Sequence, residues 1–508
     1  MKQKTLISLF LLPFFICLKA QEASACWSDL DIPGATLLSI DSIPAGELPA
    51  HVRVVLISRP AVKSHIRIEV WAPLEKWNGR FIGAGSGGGA GYIDYNALTA
   101  GVKNGFATAN TDMGTSPHVD SLLFSPQKWE DFGHRATHEM TLAAKAVIRK
   151  LYGRPPSYSY FVGCSTGGQQ ALMTAQRYPD DYNGILAGAP ANNRTHLHAL
   201  FLWNYLQSNK NQENKFTRQQ IESITNAVLR TNAGKDGGYP GDHFLTDPRM
   251  AEFNPETLDT CLTCGQIQLL KLIYSGPVNP KTGEQIYTSI PLGSESAGSG
   301  LFEQQNDPIK YHFYPFRWAF GSSGFDTFDF NGDLAKADSI LAPILNANNP
   351  DLETFRVAGG KLLMYTGTAD PLVPFQDAVH YYERVIEKQG DEEKTQRFFR
   401  YFLVPGMFHC GGGPGPCSLG QNISSLSEDS DSNLFAALVK WVEKGVAPQQ
   451  IVASAYDENG NVRFRRPVYP YPLFPHYIEG TNPDLPESYR GVVHERGKVA
   501  IPAGKYLK

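Results

Sequence analysis

The sequence predicts an α/β fold, a mostly parallel sheet wrapped by helices and interrupted by a large inserted subdomain. Three observations predict it. Short β-rich runs alternate with helical periodicity up to residue 189 and resume after residue 360. A Gly-rich serine turn joins one of these strands directly to a helical stretch. Between about residues 192 and 350 the alternation is replaced by polar, Gly/Asp/Pro and aromatic stretches, too long for a structureless connection.

The chain has 508 residues, beyond the size at which one hydrophobic core usually stops growing, so an insertion or a second domain is expected. Hydrophobic residues make up 42% and charged residues 19%, a balance that argues against a mostly disordered chain. With 46 Lys+Arg against 50 Asp+Glu, the net charge of −4 gives no electrostatic footprint for nucleic acid or an anionic membrane.

Residues 1–20 read as an export signal. Lys2 and Lys4 precede an apolar run from Leu6 to Leu18, and Ala20 and Ala25 offer small residues for cleavage. The run is shorter than the roughly 20 residues of a spanning helix, which favours a removed signal over an anchor. The mature protein is thus expected to be secreted or periplasmic, with no membrane segment. The first part of the core then covers 21–191, the insertion 192–350 and the second part 351–508.

Strand-like runs occur at 52–58, 66–72, 79–83 and 106–111. Residues 135–151 carry Met140, Leu142, Ala143, Val147 and Ile148 at helical spacing and stop at Gly153 and Pro155. Further strands are expected at 158–162, 184–189, 361–365 and 400–404. The Gly/Pro-rich run after His409 and the stretch 467–475 read as ordered surface loops.

Gly163-Cys164-Ser165-Thr166-Gly167 fits G-x-S-x-G, lying between the strand at 158–162 and the helical stretch 169–178. That context is a nucleophile elbow: a tight strand-to-helix turn whose small neighbours hold a serine hydroxyl out of the sheet. A serine needs a base and a group that orients the base, in the chain order Ser, Asp/Glu, His. Asp370 follows the strand at 361–365, and His409 follows the strand at 400–404. Both therefore lie where open α/β sheets place their sites. Asp377 and His380 sit in or near the next helix and are expected to be solvated. His134 and His138, four residues apart on a helix, lack a third ligand and read as packed, hydrogen-bonded side chains. The oxyanion donors expected are the N–H of Thr166 and, from the loop 85–91, Gly88.

Without Cys17, which falls in the signal, six cysteines remain: Cys26, Cys164, Cys261, Cys264, Cys410 and Cys417. An even set in an oxidising compartment suggests disulfides. Cys164 precedes the proposed nucleophile and Cys410 follows the proposed base, so a bridge between them would tether the two. Cys261 and Cys264 have C-x-x-C spacing without a second pair, which favours a local disulfide or separate partners over zinc.

These residues resemble the tannase and feruloyl esterase family of secreted α/β-hydrolases, which includes the esterase that cleaves mono(hydroxyethyl) terephthalate. The resemblance is carried by Phe132-Gly-His-Arg-Ala-Thr-His-Glu139, Tyr160-Phe-Val-Gly-Cys-Ser-Thr-Gly-Gly168, Ala175-Gln-Arg-Tyr-Pro-Asp180 and Gly184-Ile-Leu-Ala-Gly-Ala-Pro190. It continues in Gly359-Gly-Lys361, Gly367-Thr-Ala-Asp370, Pro405-Gly-Met-Phe-His-Cys-Gly-Gly-Gly-Pro-Gly415 and Trp441-Val-Glu443. It implies an α/β-hydrolase fold, a triad of Ser165, Asp370 and His409 with the Cys164–Cys410 disulfide, and an insertion that serves as a lid. Some members bind structural calcium in a lid loop rich in Asp-Gly pairs. Here Asp236, Asp242 and Asp247 are the candidates, but their spacing differs and flanking cysteines are lacking, so a metal-free polar turn fits equally. No cofactor is required by the chemistry.

The reading is a secreted serine ester hydrolase acting on small or polymer-linked esters of aromatic acids. Phe313, Tyr314, Phe316, Trp318 and Phe320 suit an aromatic acyl group, and equally the core of the insertion. Arg317 suits a substrate carboxylate or phenol, and equally a structural acid. A peptidase or amidase of the same fold uses the same triad, and a catalytically silent polymer-binding protein would not be labelled at Ser165 by a fluorophosphonate.

Overall fold

The computed structural model describes residues 32, 34–116, 118–306, 314–321, 324–425 and 427–494. The expected signal at 1–20, its cleavage residues Ala20 and Ala25, Cys17, Cys26 and Phe313 lie outside the described residues.

Nine strands form the main sheet: β1 (Ala35–Ile43), β2 (His51–Ser58), β3 (Ile66–Pro73), β4 (Arg80–Ala84), β5 (Ala107–Thr111), β6 (Tyr158–Cys164), β7 (Gly184–Gly188), β8 (Lys361–Gly367) and β9 (Phe399–Val404). Their order is β1-β2-β3-β5-β4-β6-β7-β8-β9. Strands β1, β2 and β3 pair antiparallel, as do β3 and β5, while every pairing from β5 through β9 is parallel. The sheet is an α/β-hydrolase-type fold. Strand β7, inside the sheet, and β9, at its edge, are buried at every residue, as parallel strands covered on both faces must be.

Eight helices bear on the site and its surroundings: α1 (Ala136–Tyr152), α2 (Thr166–Arg177), α3 (Arg194–Asn209), α4 (Cys264–Ser275), α5 (Tyr314–Phe320), α6 (Gly332–Leu345), α7 (Phe375–Gln389) and α8 (Leu434–Lys444). Successive strand residues point to opposite faces, and the core divides accordingly. Phe81, Phe161, Ile185 and Met364 join α1 and α2 on one face. Ile82, Tyr160, Val162, Leu186 and Leu363 pack on α8 on the other. No main-sheet strand falls between β7 and β8 in the described chain, where α3 to α6 lie.

Helix α1 buries Met140, Ala143, Val147 and Ile148 and ends at Gly153, whose φ of 69° is the left-handed cap glycine accepts readily. A wide helical turn, Asp131–Arg135, precedes it. His134 Nδ1 lies 2.8 Å from the Tyr178 hydroxyl, and His138 Nδ1 lies 2.8 Å from Asp181 while its ring stacks on Tyr178. These histidines are packed and hydrogen-bonded, as expected.

Three expectations are corrected. The stretch 467–475 is not a surface loop, because it spans the end of β11 (Val462–Val468) and the start of β12 (Leu473–Tyr477), with Val468, Tyr471 and Phe474 buried. Strand β11 pairs with β10 (Ile451–Tyr456), and β12 with β13 (Tyr489–Val493). Cys261 and Cys264 are free thiols rather than a disulfide. Cys264 opens α4 behind a Thr263 capping box, while Cys261 sits in the preceding turn and bonds Leu258. Asp377 is buried rather than solvated, since the first turn of α7 packs under the inserted segment, and burial pushes its carboxyl up to about 6.

Burial holds the His134 imidazole down at about 4, against an ordinary value of 6.5. The native state therefore excludes a proton that the unfolded chain takes up, so stability present above pH 6.5 is lost as pH falls toward 4. His134→Gln should remove this contribution. Urea unfolding at pH 7.5 and 5.0 should show the wild type losing about 2 kcal/mol more than the variant across that window.

Candidate active site

Strand β6 runs into α2 through Ser165, whose φ of 64° and ψ of −119° place a non-glycine residue in a sparsely populated region. Such a conformation costs on the order of 1–3 kcal/mol and persists only where the surroundings over-determine it. They do so here. The Ser165 N–H donates to Gly188 O at 3.0 Å, and its carbonyl accepts from Gln169 and Ala191. The turn is also closely hemmed by backbone. A Cβ on Gly163 would stand 2.5–2.8 Å from Gly167, and one on Gly85 would stand 2.7 Å from the Gly167 Cα. Only glycine lets the three backbones approach this closely.

The first turn of α2 has N–H groups that no intrahelical carbonyl can satisfy, and the Thr166 N–H is the first of them. The helix dipole adds positive potential at that end. Beside it runs the Gly-rich loop after β4, fixed by Ser86 N–H to Gln170, Ala90 N–H to Gly87 O and Gly91 N–H to Asp112 O. Gly88 has φ of 55° within that loop, and its carbonyl accepts from the Thr166 hydroxyl at 2.6 Å.

Asp370 and His409 leave β8 and β9 on adjacent loops that are laced together. Thr368 N–H donates to Val404 O, Ala369 N–H to Met407 O, and Gly406 N–H to the Thr368 hydroxyl. Asp370 is wholly buried, with one oxygen accepting from the Leu372 and Val373 amides. Its other oxygen lies 2.7 Å from His409 Nδ1. A buried carboxylate at Nδ1 fixes that nitrogen as the N–H, so Nε2 carries the lone pair.

Cys164 and Cys410 are disulfide-bonded, with Cα atoms 5.9 Å apart across 246 residues of chain. The residues flanking the bridge are Ser165 and His409. Cys417 is a free, half-buried thiol that bonds Gly415 O, and burial pushes it up to about 12.

The profile of the family described as tannase and feruloyl esterase matches residues 52–311 and 320–492. The chain belongs to this family. An uncharacterised esterase of Xanthomonas campestris is 34% identical, covering 90% of this chain and 89% of that one. A probable feruloyl esterase B-1 of Neosartorya fischeri is 31% identical, covering 82% and 81%. The crystal structure of feruloyl esterase B from Aspergillus oryzae superposes with a TM-score of 0.84 at 26% identity, covering 92% of this chain and 99% of that one. Membership of the tannase and feruloyl esterase family makes the protein a carboxylic ester hydrolase.

Other expected site residues are placed differently. Trp318 has no exposed surface and packs edge-on against Phe132 at 5.0 Å, so the expectation that it touches substrate gives way to packing. Phe316 is equally buried, stacked on Phe328. Phe320 is half-buried against the same core with Lys336 over its ring, and Arg317 pairs with Asp120 at 3.0 Å. The three calcium candidates do not converge. Asp236 accepts amides of Gly238, Thr246 and Asp247, Asp242 pairs with Arg466, and Asp247 is gripped by Arg249 and His494. Among the described residues no group of three or more His, Cys, Asp or Glu side chains is arranged to hold a metal.

Sequence reasoning missed Arg194, which donates to both the Thr166 and Tyr314 hydroxyls. Its place just beyond the carboxyl end of β7 was the available signal.

Removing the disulfide as the double variant Cys164→Ala/Cys410→Ala should lower unfolding stability by about 2–5 kcal/mol, given the long loop it closes. Urea denaturation of the double variant beside the wild type measures the loss, and an unchanged midpoint would contradict it.

Proposed function

We propose that the protein is an exported serine esterase that hydrolyses esters of phenolic acids through Ser165, His409 and Asp370. The observation that carries this reading is the 2.7 Å Asp370–His409 contact, delivered by the Cys164–Cys410 bridge to the loop beside the Ser165 elbow. The feruloyl esterases among its relatives support the phenolic acyl group. Export is supported by the character of residues 1–20 and by a disulfide, which persists in oxidising compartments. The segment 192–350 is read as the lid, and no helix among the described residues is long and apolar enough to cross a membrane.

In this mechanism Ser165 Oγ attacks the ester carbonyl carbon while His409 Nε2 takes the hydroxyl proton. Asp370 steadies the imidazolium that forms. The amides of Thr166 and Gly88 stabilise the tetrahedral oxyanion. As the bond to the alcohol oxygen breaks, His409 returns its proton to that oxygen, leaving an acyl-serine. Water then attacks the acyl carbon, gives a proton to His409, and releases the acid with Ser165 reprotonated. No step calls for a metal or cofactor.

Methyl ferulate, methyl gallate and mono(hydroxyethyl) terephthalate, each beside its amide analogue, test the reading. Ester turnover with little amide cleavage is expected. Ser165→Ala should lower kcat/KM by about 10³-fold or more and Asp370→Asn by about 10²- to 10⁴-fold, and a fluorophosphonate should label the wild type at Ser165 alone. Amide cleavage with inert esters, or an unimpaired Ser165→Ala, would sink it.

A further inference from the structure

Arg194 is only 2% exposed, and its guanidinium forms an ion pair with no carboxylate among the described residues. Burying such a charge is costly unless it is hydrogen-bonded, and Nε has no partner among the described residues. The bonds it does make converge on one point. Nη2 donates to the Thr166 hydroxyl at 2.8 Å and Nη1 donates to the Tyr314 hydroxyl. The cation also lies 5.2 Å from the ring centroid of Phe132.

The polarity of this network is fixed by chemistry. A guanidinium only donates and a carbonyl only accepts, so each hydroxyl must accept from Arg194 and turn its single proton elsewhere. Both turn toward Gly88 O, from Thr166 at 2.6 Å and from Tyr314 at 3.4 Å. A charged donor behind a hydroxyl polarises its O–H and strengthens the bond it makes in turn. The two peptides that flank the Gly88 Cα are thus both held: these hydroxyls grip the Gly88–Gly89 peptide through Gly88 O, and the Gly87 O···Ala90 N–H turn holds the Gly87–Gly88 peptide, which carries the Gly88 N–H. A Cβ built on Gly88 would meet nothing within 4 Å, so that side of the loop is open, and Thr115 adds a bond from its hydroxyl to Gly89 O at 2.8 Å.

We infer that Arg194, acting through Thr166 and Tyr314, is a positioning residue: by anchoring Gly88 O it fixes the backbone at Gly88, so that the neighbouring Gly88 N–H is held as an oxyanion donor, and it adds positive potential behind that loop. The inference rests on the esterase reading and deepens it. It makes the oxyanion site dependent on the inserted segment, because Arg194 begins α3 and Tyr314 begins α5.

The test compares Thr166→Val, which keeps the side-chain shape and the Thr166 N–H but removes the hydroxyl, with Thr166→Ser, which keeps the hydroxyl. Arg194→Lys keeps the charge without the two-pronged reach. For each, kcat and KM on p-nitrophenyl acetate are measured beside the inhibition constant of phenyl trifluoromethyl ketone, whose serine adduct carries an oxyanion, and the melting temperature. Thr166→Val and Arg194→Lys should each lose fivefold or more in kcat, with KM within twofold. The ketone should weaken in step with kcat/KM, and Thr166→Ser should recover most of the loss. A Thr166→Val enzyme with kcat less than fivefold down, a deficit shared equally by Thr166→Ser, or a change borne by KM alone would overturn the inference. Should Arg194→Lys fail to fold, the two Thr166 variants decide alone. Ser165→Ala on the same ester separates the two readings. If it is as active as wild type, the esterase mechanism falls. If it is inactive while Thr166→Val is unimpaired, only the positioning role of Arg194 falls.

Discussion

The close approach of three backbones governs the rest of this structure. Strand β6, the first turn of α2 and the loop after β4 meet at Gly163, Gly167 and Gly85, with separations that leave no room for a side chain. That contact lets Ser165 occupy its strained conformation, with its own N–H and carbonyl fully satisfied. It also sets the free amides of the helix start beside the loop that carries Gly88. Ser165 and the two backbone segments beside it are therefore placed by one packing event rather than by flexible side chains.

Asp370 and His409 are placed by a separate device. Their loops are held to each other by backbone bonds between the exits of β8 and β9, so the Asp370–His409 pair is a unit of its own. What joins this unit to the elbow covalently is the Cys164–Cys410 bridge. A disulfide usually acts by restricting the unfolded chain, and this one closes a long loop. Its position one residue from both Ser165 and His409 gives it a second effect in the native state: it limits how far these two residues can separate.

Much of this was legible in the sequence because the signals are local. Strands of the parallel sheet are continuous apolar runs bounded by glycine and proline, and β6, β7, β8 and β9 fall within two residues of where those runs end. The serine turn carries its own steric signature, and chain order then selects Asp370 and His409. What stayed hidden depends on long-range packing. Strand β1 mixes polar and apolar residues without a clean alternation, buries none of them fully, and gains its pairing only from β2. The proline- and tyrosine-rich stretch after β11 looks like loop, yet it is buried against β9, where Tyr471 N–H bonds Tyr401 O. The C-x-x-C spacing carries no information about whether its thiols meet, and the start of α4 decides that matter locally. Asp377 looked like a surface residue of an amphipathic helix, because the sequence of α7 does not reveal what covers its first turn.

The aromatic run of the inserted segment shows why composition alone misassigns function. Tyr314, Phe316 and Trp318 lie on one short helix, yet they serve different ends: the last two are packed away, while the first keeps its hydroxyl directed at Gly88. A tyrosine combines a large apolar body with one polar tip, so it can seal a core and still bond a backbone atom. The segment between β7 and β8 consequently does more than pack on itself. Through Tyr314 it reaches the Gly88 carbonyl, and through Arg194 the Thr166 hydroxyl next to Ser165. The segment is thus tied to the Ser165 turn at two positions, because the guanidinium of Arg194 finds an acceptor on Thr166 and the Tyr314 hydroxyl faces Gly88 O.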